Sequence, residues 1–149
     1  MPPDPDPSHL LGYDLRPDGP GLRTRQRREL RAFAEAFFSR DAGPPDADRL
    51  EWLVDEVDDF VAHLGSRGRL LVVGCLLAVT HAGPAWIGRR GRLSQLPLDL
   101  RVQALESLEK SPAALALFAL KTVASLCYYE HPDAAAEIGW DRRCRGSKP

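Results

Sequence analysis

Apolar positions recur along this chain with the 3.6-residue period of an amphipathic helix, and the polar breaks between them predict about five helices. From Thr24, which offers a hydroxyl to cap free backbone N–H groups, Leu30, Phe33, Ala34, Phe37 and Phe38 form one stripe, ended ahead of Gly43-Pro44-Pro45. Asp46 to Leu64 repeats the pattern with Leu50, Leu53, Val54, Val57, Val61 and Leu64, closed by Gly65. Ser66 to Thr80 is apolar on all sides, which predicts a helix in the middle of a bundle, with Gly74 allowing close helix contact. Residues 82–96 read as a long connection. Pro97 opens a helix to about Lys110, with Leu98, Val102, Leu105 and Leu108 inward. Ser111-Pro112 opens another, to about Tyr129, with Leu115, Phe118, Leu120, Val123, Ala124 and Cys127 expected to be largely buried. A short helix is expected at Pro132–Glu137. The expected class is therefore all-α: an irregular bundle of about five helices over residues 23–141, behind a flexible Pro-rich arm (1–22) and ahead of a basic tail (142–149).

Composition narrows the function classes. The 149 residues carry 20 Lys+Arg against 21 Asp+Glu, a net charge of -1, which argues against coating a nucleic acid. Cys75, Cys127 and Cys144 are odd in number and form no CxxC, so neither a disulfide framework nor a zinc knuckle is expected. Cys75 and Cys127 sit in apolar stretches as small hydrophobes, whereas Cys144 lies among arginines that favour its thiolate. The N-terminus has no basic-then-apolar signal pattern, and charged Glu29, Arg31 and Glu35 follow Arg27-Arg28 where a twin-arginine signal needs an uncharged stretch. The longest apolar run, Leu70 to Val79, is half a membrane span. A soluble, cytoplasmic protein without a membrane span or nucleic-acid partner is expected.

A search for chemistry finds little. His9, His63, His81 and His131 share no metal-ligand spacing; those near helix ends read as caps or solvent-facing groups. Asp55, Glu56, Asp58 and Asp59 read as a solvated helix face. Arg16, Arg23, Arg25, Arg27, Arg28 and Arg31 read as an exposed face or a docking surface for an acidic partner, as do Arg89, Arg90 and Arg92. No GxGxxG, Walker loop, GxSxG or Cys/His pair with an orienting acid is present, so no catalytic, cofactor-binding or metal residue is assigned.

Several stretches resemble a known family. They are Thr24–Phe38, Leu96–Ser111, Phe118-Ala119-Leu120-Lys121, Tyr128-Tyr129-Glu130-His131-Pro132 and Ile138-Gly139-Trp140. In this order they resemble the small subunits typified by gluconate 2-dehydrogenase subunit 3, and the helical N-terminal region of long-chain alcohol oxidases. The resemblance implies a helical accessory chain that holds no flavin and does no redox chemistry. Such a chain binds and stabilises a GMC-type, FAD-bearing large subunit. Interface anchors are expected at Trp86, Ile87, Arg89 and Arg90 in the connection, and at Tyr129, Ile138 and Trp140 near the end of the last long helix. Tyr128, in phase with Val123, Ala124 and Cys127, is expected in the core. The alternative is a free-standing helical adaptor whose arginine-rich first helix binds an acidic partner.

Overall fold

The computed structural model describes residues 17–140. Over these residues it holds six α-helices and no strand: α1 Thr24–Phe37, α2 Ala47–His63, α3 Ser66–Trp86, α4 Leu98–Leu108, α5 Ala114–Tyr129 and α6 Pro132–Glu137. A 3-10 turn, Leu93–Gln95, joins α3 to α4. The expected all-α bundle is thus observed. Residues 1–16, the tail 142–149 and Cys144 lie outside the described residues.

One core unites the helices. Leu30 and Phe33 of α1, Leu53, Val57 and Val61 of α2, Leu76 and Val79 of α3, Leu108 of α4, and Leu117 and Leu120 of α5 are all essentially solvent-free. Leu93 of the 3-10 turn joins them. Burial of side chains of this size provides the main drive for folding, at about 25 cal/mol per Å² of apolar surface.

Helix α1 starts at the expected residue but is capped differently. Arg23 is the N-cap, and its backbone N–H donates to Gln26 Oε1 at 2.8 Å, so the Thr24 hydroxyl is not the cap. The end of the N-terminal arm lies along α2: Gly19 N–H donates to Ala62 O at 3.2 Å, and Leu22 N–H to Asp58 Oδ1 at 2.5 Å. The acidic run of α2 is correspondingly not a simple solvated face. Arg27 bridges Asp55 and Asp58, and Arg31 pairs with Glu51, tying α1 to α2.

Helix α3 departs furthest from expectation. It runs through Pro84 to Trp86, so the connection begins at Ile87, not residue 82. Its end is a Schellman turn: Gly88 N–H donates to Ala85 O at 3.1 Å and Arg89 N–H to Pro84 O at 2.8 Å, with Gly88 at φ +72°. The left-handed conformation suits glycine because it has no Cβ to clash. At 21 residues and a mean hydropathy of 1.4, α3 is long and apolar enough to cross a membrane, by length and composition. It is not buried all round, because Leu70 and Leu71 are 74% and 66% exposed. Nor is Gly74 the point of close contact: a Cβ there would meet nothing within 4 Å. That role belongs to Gly83, where a Cβ would stand 3.4 Å from Leu108 Cδ1 and 3.5 Å from Ala104 Cβ of α4.

The α3–α4 connection is held by a buried carboxylate. Glu29 of α1 accepts from Ser94 N–H at 3.0 Å and from Ser94 Oγ at 2.5 Å. Arg101 adds a second tie, donating to Leu96 O at 2.7 Å and to Glu35 Oε2 at 2.6 Å. Helix α5 corrects a further expectation. Leu115 and Phe118 are 78% and 67% exposed, while Leu117, Leu120, Ala124 and Cys127 take the inward face.

Candidate partner-binding surface

The surface is built around the C-terminal half of α5. Leu115, Phe118, Thr122 and Leu126 recur at i, i+3, i+7 and i+11 on the face opposite the core. Phe118, Leu126, Tyr129 and Trp140 line an open, apolar groove of about 530 Å³, to which Lys121 and Glu130 also contribute. Lys121 pairs with Glu109 and lies 5.2 Å from the Phe37 ring centroid. That cation holds the Glu109 carboxyl below its ordinary range.

Two features fix the groove's walls. Behind Tyr129 is a ring stack: Tyr128 lies face to face with Phe38 at 4.0 Å, and Tyr129 meets Tyr128 edge-on at 5.3 Å. Tyr128 is in the core, as its helical phase predicts. Trp140 is set by a second Schellman turn. Gly139 N–H donates to Ala136 O and Trp140 N–H to Ala135 O, both at 3.0 Å, with Gly139 at φ +73°. Helix α6 itself is capped by His131, whose Nδ1 accepts from Asp133 N–H at 3.2 Å, and braced by Arg49, which donates to Glu137 at 2.6 Å. Arg49 thereby holds the Glu137 carboxyl below its usual range.

A second hollow of about 430 Å³, lined by Trp52, Glu56, Glu130 and Trp140, shares Glu130 and Trp140 with the groove. The Trp52 indole donates to Cys127 O at 3.3 Å and meets the His131 ring edge-on at 5.2 Å, which orients it. Partial burial, then the nearby negative charges of Glu130, Asp59 and Asp55, push the Glu56 carboxyl up; a hydrogen bond with Glu130 adds to the rise. The Cys127 thiol is pushed up to about 11 by burial, with Glu130 and Glu56 adding to it.

The expected anchors are divided between two places. Tyr129 and Trp140 share the groove, while Ile138 is exposed but absent from its lining. Trp86 is 53% exposed in the last turn of α3, not in a loop; Ile87 packs on the core, and Arg89 and Arg90 are exposed beyond it. A third apolar hollow lies between α3 and α5, lined by Leu70, Leu71, Gly74, Cys75 and Ala116. Cys75 is therefore half-buried, unlike Cys127.

Sequence reasoning missed Phe118, Leu126, Trp52, Glu56 and Glu130 as surface determinants. A signal for the first two exists: α5 carries more apolar positions than one buried face can hold. The Trp52–Glu56 spacing of i, i+4 puts both on one side of α2, but only tertiary packing brings them to Glu130. Among the described residues, no group of three or more His, Cys, Asp or Glu side chains is placed to hold a metal ion. No family model, no curated protein and no solved structure matches this chain.

Proposed function

We propose that this chain is a non-catalytic accessory subunit that binds and stabilises a GMC-type, FAD-dependent oxidoreductase large subunit. In this reading FAD resides on the partner and none on this chain. The observation that carries the partner-binding role is the exposed apolar surface of α3 and α5. Leu70, Leu71, Leu115, Phe118 and Leu126 are each about two-thirds exposed or more, and all but Leu115 line open apolar hollows. Exposed apolar surface grouped in this way marks interaction sites in proteins. The family resemblance supplies the nature of the partner. The adaptor alternative is less well supported, because Arg27 and Arg31 of the first helix are committed to ion pairs with α2.

Affinity capture of the tagged chain from its native host tests the proposal. A yellow protein with a flavin absorbance spectrum is expected to accompany it, and F118S/L126S is expected to lose that protein. Recovery of a clean monomer that binds no apolar dye overturns the reading.

A further inference from the structure

The apolar hollow between α3 and α5 lies where the N-terminal arm enters the bundle. Gly19 N–H donates to Ala62 O at 3.2 Å, and a Cβ on Gly19 would collide with the Arg69 guanidinium, so the chain passes directly over that side chain. Arg69 is itself held by donating to Leu64 O at 3.1 Å. Pro20 and Gly21 then line a space with Leu70 and Val73, and Leu22 is buried in the core. Leu70 also lines the α3–α5 hollow, of about 420 Å³, together with Leu71, Gly74, Cys75 and Ala116. The arm therefore arrives beside a hollow whose two leucines, Leu70 and Leu71, are 74% and 66% exposed.

The sequence ahead of Gly19 matches that hollow. Between Pro2 and Arg16 the large apolar residues are Leu10, Leu11, Tyr13 and Leu15, in a stretch otherwise made of Pro, Asp, Ser, His and Gly. Leu11, Tyr13 and Leu15 alternate, a spacing that shares one face of an extended chain. Leu15 and Leu10 stand four and nine positions before Gly19, a reach of about 13–30 Å at ~3.3 Å per residue. Leu70 to Cys75 covers only about 8 Å of helix at ~1.5 Å per residue, well within that reach. Arg67 is the charged residue of the hollow's lining, and Asp14 lies between Tyr13 and Leu15, so the charges are complementary. A tethered segment also outcompetes a free one, because its effective concentration is on the order of millimolar.

We propose that Leu10–Leu15 of this chain's own N-terminal arm packs over Leu70, Leu71 and Cys75 and fills the α3–α5 hollow. Burial of apolar surface on both sides drives the contact. It does not depend on the identity of any partner protein. With the arm seated, the apolar surface left for a partner narrows to the Phe118–Leu126 groove of α5.

The test uses the full chain, methyl-labelled at its leucines and studied by NMR at low concentration. Nuclear Overhauser contacts are expected between the Tyr13 ring and the methyls of Leu70 and Leu71. L70S/L71S, which alters two exposed positions, is expected to speed amide exchange at residues 10–15 at least tenfold. L11S/Y13S/L15S is expected to raise apolar-dye fluorescence at least twofold while the helical circular dichroism stays unchanged. Absence of the Tyr13 contacts, or exchange at residues 10–15 that L70S/L71S leaves unchanged, overturns the proposal. Contacts to the Leu126 methyls in place of Leu70 and Leu71 put the arm in the other groove and overturn it as well. A mixture of differently labelled chains checks the source of the segment: contacts that arise only between chains identify a second copy as the occupant and overturn the assignment to the chain's own arm. F118S/L126S is expected to leave the Tyr13 contacts intact. Those contacts without flavoprotein capture remove the proposed function alone, and capture without those contacts removes this inference alone.

Discussion

Glu29 and Ser94, on α1 and on the 3-10 turn, are joined through both oxygens of one carboxylate, which accepts the Ser94 backbone N–H and its hydroxyl. Glu29 as a whole is only 3% exposed, so water competes little for its carboxylate. The pair pins the start of the 3-10 turn to the first helix and seats Leu93 in the core.

Removing that carboxylate leaves two Ser94 donors without their acceptor. E29A is expected to destabilise the chain by about 1–3 kcal/mol, and E29Q, which keeps one accepting oxygen, by less. Chemical denaturation read by circular dichroism checks both. Faster amide exchange at Ser94 and Gln95 than elsewhere in the E29A variant locates the loss.

The two glycines of α3 are expected to respond oppositely. A Cβ at Gly74 meets open space, so G74A gains helix propensity and stabilises by about 0.5–1 kcal/mol. A leucine at Gly83 is driven into Leu108 and Ala104, so G83L destabilises by about 1–3 kcal/mol. Thermal unfolding of the two variants checks the contrast; equal responses would contradict the α3–α4 contact.

Glu56 sets a pH dependence of definite sign. Its raised carboxyl holds a proton more tightly in the folded chain than in the unfolded one. Between the ordinary carboxylate value and the raised one, the native state therefore binds more protons, and stability falls as pH rises. E56Q removes the ionised form and is expected to stabilise by about 0.5 kcal/mol at neutral pH, with the gain vanishing below about pH 4. Denaturation midpoints across pH 3.5–8 are the measurement.

The two described cysteines are expected to differ in reactivity. Cys127 is buried, and its thiol is pushed up to about 11, so almost no thiolate forms near neutrality. Iodoacetamide at pH 8 is expected to modify half-buried Cys75 while leaving Cys127 intact until the chain unfolds. Peptide mapping by mass spectrometry distinguishes the two.

Much of the fold was legible because local signals agree with tertiary packing. The stripes at Leu50–Val61 and Leu30–Phe37 coincide with buried faces, and Pro132 and Ser66 stand at true helix starts. The reading failed at residues 82–86, which it placed in a long connection although α3 continues through Pro84 to Trp86. The Pro84 ring sits in the last turn of α3, buried, and the helix end is written one turn later in Ile87-Gly88. It failed again on α3 and α5, where apolar character was equated with burial, although both helices are apolar on faces the bundle does not cover. Of the candidate surface, Tyr129 and Trp140 were legible as aromatics at a helix end. Trp52 and Glu56 were not, since they lie more than 70 residues from Cys127 and Glu130 along the chain and meet them only through the α2–α5 packing.

The stretch carrying Arg89 and Arg90 is moored at both ends, by the Schellman turn at Gly88 and by the Glu29 clamp on Ser94. Its footings belong to the body of the molecule, while Arg89 and Arg90 between them are exposed and Gly91 holds a left-handed turn at φ +102°. Side chains at 89 and 90 can therefore be exchanged with little cost to the bundle, whereas Gly91, in the left-handed region, cannot take a Cβ without strain.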